Sequence, residues 1–332
     1  MYIKAGKENL FNLICLVFVL CLLGTVTSGC QKSDEAGAQA RSESSSKQRP
    51  VQAAATKRDD APQTRVVTSE RMPGKPRRIV SLAPNTTEIL FELGAGEHVV
   101  GVTRFCDYPA EAAERPKIGG IINPDFEAIV AREPDLVVGV TSGADKSIRD
   151  QLDGAGISYA FAEMDTIEET YAGILHIGVW VGEDRKAREV VDEMRDRIES
   201  LTVQTPAEQR PSVLFVYGRN PLTVAGPGTF GHELVERAGG SNPMADSETK
   251  YPKVDLEKVL DLDPDRIIDA TMGESVDEGF WAQYDDLSAV EQGRVYRLED
   301  TALLRPGPRL VDGLERVREA VRGDASAGGA DR

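Results

Sequence analysis

The sequence has 332 residues, a formal net charge of −16 at pH 7, 40% hydrophobic residues and 6% aromatics. That length accommodates two ordinary domains with real cores, and the apolar fraction excludes a disordered chain. The acidity argues against a nucleic-acid binder, which needs Lys and Arg clustered against phosphates. Three His and four Cys argue against a zinc scaffold or a disulfide framework.

Residues 1–29 read as an address. Lys4 and Lys7 form a basic start, and Leu10 to Gly24 is an apolar run of signal-peptide length. Small residues then lead into Cys30, as in a lipoprotein signal whose cysteine receives a diacylglycerol, although Thr27 stands where Leu is usual. A plain signal peptide or a short membrane anchor is the alternative; the run is short for a span. Cys21 follows bulky Phe18, Val19 and Leu20 and is the poorer lipidation candidate. Residues 30–76 are rich in Ser, Ala, Gln, Arg, Lys, Asp and Pro, with no aromatic before Phe91. Such a stretch buries too little to offset its ordering entropy and is expected to be a lipid-anchored flexible tether. Val66 and Val67 within it can start the fold as a short edge strand.

The body alternates strand and helix. In a first lobe, 77–181, the expected strands are Arg78 to Leu82, Val99 to Val102, Asp135 to Val140 and Ile157 to Ala162. Asn85 is placed to cap the first helix, with Glu88 three residues on, and Ile148 to Leu152 lies on another. In the connecting segment, 182–204, Ala187, Val190, Val191, Met194, Ile198 and Leu201 recur at helical spacing. No Gly or Pro interrupts Asp184 to Leu201, so the pattern predicts a stiff rod of about 27 Å. The second lobe, 205–322, has expected strands at Ser212 to Tyr217, Leu222 to Ala225, Arg266 to Ala270 and Arg294 to Leu298. Its helices fall near His232 to Arg237 and Pro308 to Val321, and residues 323–332 form a frayed tail. The fold class is therefore α/β, with two Rossmann-like lobes of mostly parallel sheet joined by one long rigid helix.

One pattern occurs twice, at an offset of 130. Asp125, Glu127, Pro134 and Asp135 match Asp255, Glu257, Pro264 and Asp265; Phe126, Ile129 and Val130 match Leu256, Val259 and Leu260. Each copy reads as a short helix, a Pro stop and a buried strand. A weaker echo pairs Glu88 to Gly94 with Glu233 to Gly239.

Ligands of open α/β sheets sit beyond the carboxyl ends of the strands. The loops expected there carry Pro84, Asn85, Phe105, Cys106, Tyr108, Ile121, Ile122 and Asn123, then Thr141 to Gly143. From the second lobe come Phe230, Tyr251, Met272 with Gly273, and Arg305. This apolar and aromatic mixture with scattered amides suits a large, flat, partly apolar ligand. Gly94-Ala95-Gly96 follows a helix and reads as a helix stop, not a dinucleotide turn. There is no phosphate loop, no nucleophile elbow and no pair of groups set for acid–base work, so an enzyme is not expected. His98, His176 and His232 lie in separate elements and read as structural. Cys106 either touches the ligand or fills space as a partly buried thiol, the second being favoured.

Four motifs together carry a family resemblance over 76–322. They are Arg78-Ile-Val-Ser-Leu-Ala-Pro-Asn-Thr-Thr-Glu88, Cys106-Asp-Tyr-Pro109, Asn123-Pro-Asp-Phe-Glu127 with Pro134-Asp-Leu-Val137, and Arg305-Pro-Gly-Pro-Arg309. This set resembles the cobalamin and iron-siderophore substrate-binding proteins of ABC importers, and its wording is most similar to the cobalamin branch. The resemblance implies little closure on binding and delivery of the ligand to an ABC permease with its cytoplasmic ATPase. It maps the family's two permease-docking glutamates onto Glu127 and Glu257. A pocket aromatic of the family falls at Ile121, whereas Phe105 and Tyr251 keep apolar or aromatic character at two other lining positions. Arg305 can equally face an anionic siderophore or a haem propionate. The expectation is a monomeric, lipid-anchored envelope protein that captures cobalamin or a related corrinoid and has no cofactor or metal of its own. Ferric siderophore or haem is the alternative cargo; an envelope scaffold or sensor, or an enzyme on the same fold, is the alternative class.

Overall fold

Buried apolar runs alternating with helices give two sheets, each mostly parallel. The computed structural model describes residues 63–271, 279–298 and 305–324. Cys30, the tether up to residue 62, Met272, Gly273 and the tail from residue 325 lie outside them. The first lobe comprises β1 (Val66–Thr68), β2 (Ile79–Ser81), α1 (Pro84–Glu92), β3 (Val99–Val102), α2 (Ala110–Ala113), α3 (Phe126–Val130), β4 (Leu136–Val140), α4 (Lys146–Gly154) and β5 (Ser158–Ala162). The first lobe ends with α5 (Ile167–Val181), and the connector is α6 (Asp184–Leu201). The second lobe comprises β6 (Val213–Arg219), β7 (Leu222–Val224), α7 (Phe230–Arg237), α8 (Leu256–Leu262), β8 (Arg266–Asp269), α9 (Ser288–Glu291), β9 (Val295–Arg297) and α10 (Leu310–Arg322).

The strand orders are β1-β5-β4-β2-β3 and β7-β6-β8-β9. Among the described strands only β1 on β5 and β7 on β6 run antiparallel, both at sheet edges. β1 falls inside the stretch assigned to the tether: Val67 sits opposite Phe161 and half-buries its side chain, so the chain joins the sheet before Pro76.

Strand alternation explains the core. In the first sheet Ile79, Leu136 and Val138 face a central apolar cluster, whereas Val80 and Val137 face an outer one. In the second sheet Val213, Phe215 and Ile268 face that same central cluster, and Leu214, Val216 and Ile267 face a third. The central cluster thus runs unbroken through both lobes, α5, α6 and α10.

α6 spans the residues its periodicity predicts and buries Ala187, Val190, Val191, Met194 and Ile198. It crosses the connecting segment as one uninterrupted helix, and α5, at the end of the first lobe, packs along it. α5 begins with a reciprocal cap, in which Thr166 accepts from Glu169 N–H and the Glu169 carboxylate accepts from Thr166 N–H. It ends at Gly182 in the left-handed region, φ 76°. Gly178 lets the two helices approach, because a Cβ there would collide with Ala187.

The offset-130 repeat holds in three dimensions. Asp125 caps α3 by accepting from Ala128 N–H at 3.0 Å, and Asp255 caps α8 by accepting from Lys258 N–H at 2.8 Å. Both units then turn through an acidic residue with positive φ, Glu133 at 47° and Asp263 at 36°. Beyond the prolines, Asp135 accepts from Arg77 and Arg78 N–H, and Asp265 from Ser212 N–H, fastening each unit to the start of β2 or β6.

Candidate functional site

A cavity of about 410 Å³ lies where loops from the carboxyl ends of the strands meet. Ala83, Pro84, Asn85, Phe105, Ile121, Val140, Thr141 and Ser142 line it from the first lobe, with Met164 and Asp165 after β5. Phe230, Tyr251, Arg305 and Pro306 close it from the other side. The lining therefore includes Pro84, Asn85, Phe105, Ile121, Phe230, Tyr251 and Arg305, all named from the sequence.

Four other named residues stand outside the lining. Cys106 is 1% exposed and within hydrogen-bond reach of the Thr87 and Thr103 hydroxyls, so it packs inside the lobe. Tyr108 is exposed and lies under the Arg309 guanidinium, 4.1 Å from its ring centre. Ile122 is 83% exposed, and Asn123 is exposed on the same loop. Glu127 on α3 and Glu257 on α8 are both exposed and occupy the same position of their repeated units. The histidines are structural in character: His176 stacks on Trp180, His232 Nδ1 meets Asn242, and His98 ends a 3-10 turn just before β3.

Asn85 does not cap α1. The cap position is Ala83 and Pro84 occupies the first turn, where a missing N–H costs nothing. Asn85 sits within the helix, 4% exposed, and its amide donates to Pro306 O at 3.2 Å across the lobes. Glu88 likewise makes no capping box. It is buried and accepts from Arg305 at 3.0 Å and from Arg309 at 2.7 and 2.9 Å.

Arg305 is consumed by this network. Beyond Glu88, it donates to Asp107 at 2.5 and 3.2 Å and to Phe105 O at 2.9 Å. Burial opposes the charge on both Arg305 and Asp107, yet their pairing outweighs it. The guanidinium is held above its ordinary value and the carboxyl below its own.

On the opposite side Asp165 is the hub. Its side chain accepts from Lys250 at 2.8 Å and from the Tyr251 hydroxyl at 3.3 Å; its backbone O accepts from Phe230 N–H. Lys250 also reaches Glu163 at 3.1 Å. Hydrogen bonding to Asp165 raises the Lys250 ammonium above its usual range, and burial raises the Tyr251 phenol. Met164 and Asp165 were legible as lining, because they directly follow the predicted strand ending at Ala162.

Two mostly parallel sheets around a preformed apolar cleft define an α/β binding-protein architecture. The chain belongs to the periplasmic binding protein family, whose pattern matches residues 79–302. It is 30% identical over 260 residues to YvrC of Bacillus subtilis (strain 168), an uncharacterized ABC transporter substrate-binding lipoprotein, covering 75% of this chain and 81% of that one. It superposes on the crystal structure of the periplasmic vitamin B12-binding protein BtuF of Vibrio cholerae with a TM-score of 0.65 and 28% identity, over 75% of this chain and 98% of that one. It also superposes on a periplasmic haem-binding protein from Pseudomonas aeruginosa, with a TM-score of 0.67 and 26% identity over 76% and 95%. Its family and its structural neighbours are thus substrate-binding transport proteins.

Proposed function

We propose that this chain captures cobalamin or a related corrinoid in the cleft and delivers it to an ABC permease, held at the extracytoplasmic membrane surface by lipid on Cys30. The observation that carries the ligand reading is the state of Arg305. Among the described lining residues the only charged side chains are Asp165 and Arg305, and the Arg305 guanidinium is already bound by two carboxylates and a carbonyl. An anionic ligand, such as haem with its two propionates, would have to displace those partners. A corrinoid such as cyanocobalamin, which carries no net charge, needs apolar walls and a few polar partners, which Phe105, Ile121, Phe230, Tyr251 and Asn85 supply. A ligand wider than the cavity extends over the exposed rim at Ile122.

The test is calorimetric titration of the purified chain with cyanocobalamin, then competition with hemin and a ferric siderophore. Heat and a spectral change with cyanocobalamin alone support the reading. Silence with cyanocobalamin and saturation by hemin would replace it with haem capture.

Delivery assigns docking to Glu127 and Glu257, whose repeated setting suits a partner with two equivalent sites. Exposed carboxylates facing permease cations set register and encounter rate. The double reversal Glu127→Arg with Glu257→Arg is expected to abolish uptake while ligand affinity stays unchanged. Uptake equal to the unaltered chain sinks the docking assignment. For the anchor, the expected outcome is that Cys30→Ser releases the protein from the membrane fraction.

A further inference from the structure

The two docking glutamates do not recur alone. Val130 on α3 and Leu260 on α8 also occupy equivalent positions, each three residues after its glutamate and therefore on the same helix face. Both aliphatic side chains lie in the open, each residue 41% exposed. The core contact of each helix is made by the residue before, Ile129 or Val259, both 0% exposed. A single exposed aliphatic residue is ordinary. Here the exposure recurs at matched positions of two repeated units, one in each lobe. The adjoining exposed position has drifted, being Ala at 131 and Asp at 261, whereas the exposed caps Asp125 and Asp255 are kept for their bonds to the helix N-termini. Glu133 and Asp263 keep a carboxylate, but Asp263 is engaged by Ser288 N–H and hydroxyl.

The location is informative. α3 starts five residues after Ile121, and α8 starts five residues after Tyr251, both of which line the cleft. Ile121 and Tyr251 are themselves offset by 130. Each exposed pair thus sits on the helix that directly follows a cleft loop.

We propose that Val130 and Leu260 complete two equivalent docking units, each joining one aliphatic knob to one carboxylate, and that the partner is a permease presenting two basic side chains, each beside an apolar hollow. This rests on the docking reading of Glu127 and Glu257 and extends it. The acidic half of each unit defines the partner's charge. The recurrence defines its two-fold character. The aliphatic half supplies contact energy that salt does not screen. A charged pair on an open surface contributes little by itself, so steering falls to the carboxylates and retention to the knobs.

Photo-crosslinking amino acids placed singly at 127, 130, 257 and 260 of the full chain, expressed in its own cell envelope, test this. All four are expected to cross-link to the membrane-spanning permease subunit, identified by mass spectrometry. Cross-links from 127 and 257 but not from 130 and 260 overturn the knob proposal and leave the docking assignment standing. Cross-links from 130 and 260 to a second copy of this chain also overturn it. No permease adduct from any of the four overturns the docking reading itself, and the proposal with it. In parallel, Val130→Ser with Leu260→Ser should cut uptake about tenfold, from loss of two partly buried aliphatic contacts, with ligand affinity and melting temperature unchanged. The swap Val130→Leu with Leu260→Val should restore uptake. Undiminished uptake in the serine pair counts against the proposal.

Discussion

The cleft is fastened across the lobes on both sides, by ionic devices of opposite character. On one side Glu88 and Arg305 have side chains 2% and 6% exposed, and the half-buried Arg309 completes the triad. On the other, Lys250 is 41% exposed where it meets Glu163 and Asp165. In low dielectric an ion pair is strong once formed and ruinous when half removed; at the surface it contributes about 0–1 kcal/mol and weakens with salt. The first device therefore locks geometry, and the second adjusts it. A further tie, Glu233 accepting from Ile167 N–H at 2.7 Å, returns from α7 to the start of α5. In the weak internal echo Glu233 matches Glu88, so each lobe sends one buried or half-buried carboxylate to the opposite half of the molecule.

Removing one member of the buried device is the severest way to break this contrast. Glu88→Ala leaves two guanidinium groups without their shared carboxylate and should cost about 3–5 kcal/mol in denaturant unfolding. The concerted change Glu88→Leu, Arg305→Met and Arg309→Met separates packing from charge. It is expected to be near neutral for stability, because well-packed apolar groups escape desolvation. A loss as large as that of Glu88→Ala would show that the triad's geometry has no apolar equivalent. At the rim of the same network, Asp107→Asn alters pH dependence. The pairing holds the folded Asp107 carboxyl below its ordinary value near 3.8. Its contribution is fully present above that value and is lost as pH falls through the lower folded value. Acid unfolding of Asp107→Asn should therefore be shallower in that window, with no gain at neutral pH. The smallest effect belongs to Lys250→Ala, about 1 kcal/mol or less and fading in high salt.

Much of the fold was legible because it rests on local rules. The α6 stripe, the strand runs and the offset-130 helix–Pro–strand units are periodic patterns, and the units even share an acidic left-handed turn. The errors were at α1, where a local rule was available and tertiary structure overrode it. Asn-x-x-Glu reads as a cap, yet Pro84 already starts the helix, and Glu88 faces inward to arginines more than 200 residues away. Nothing near Glu88 in sequence announces a partner at Arg305. The start of α5 was also open to a local rule, since Thr166 and Glu169 spell its reciprocal cap. For the cleft, loop composition placed the aromatic and proline lining; of the two readings of Cys106, the favoured space-filling one matches a thiol held against Thr87 and Thr103, buried further than the partial burial expected.

The unbroken central core has a thermodynamic corollary. Ile79 of the first sheet and Phe215 of the second belong to one apolar cluster, so neither half has a complete interior of its own. Heat should melt the described body in one cooperative transition, with calorimetric and van't Hoff enthalpies in agreement. Any molecule that saturates the cleft then shifts that single transition upward as a whole. Occupancy would thus be felt as far away as α10, through stability alone and without displacement of either lobe.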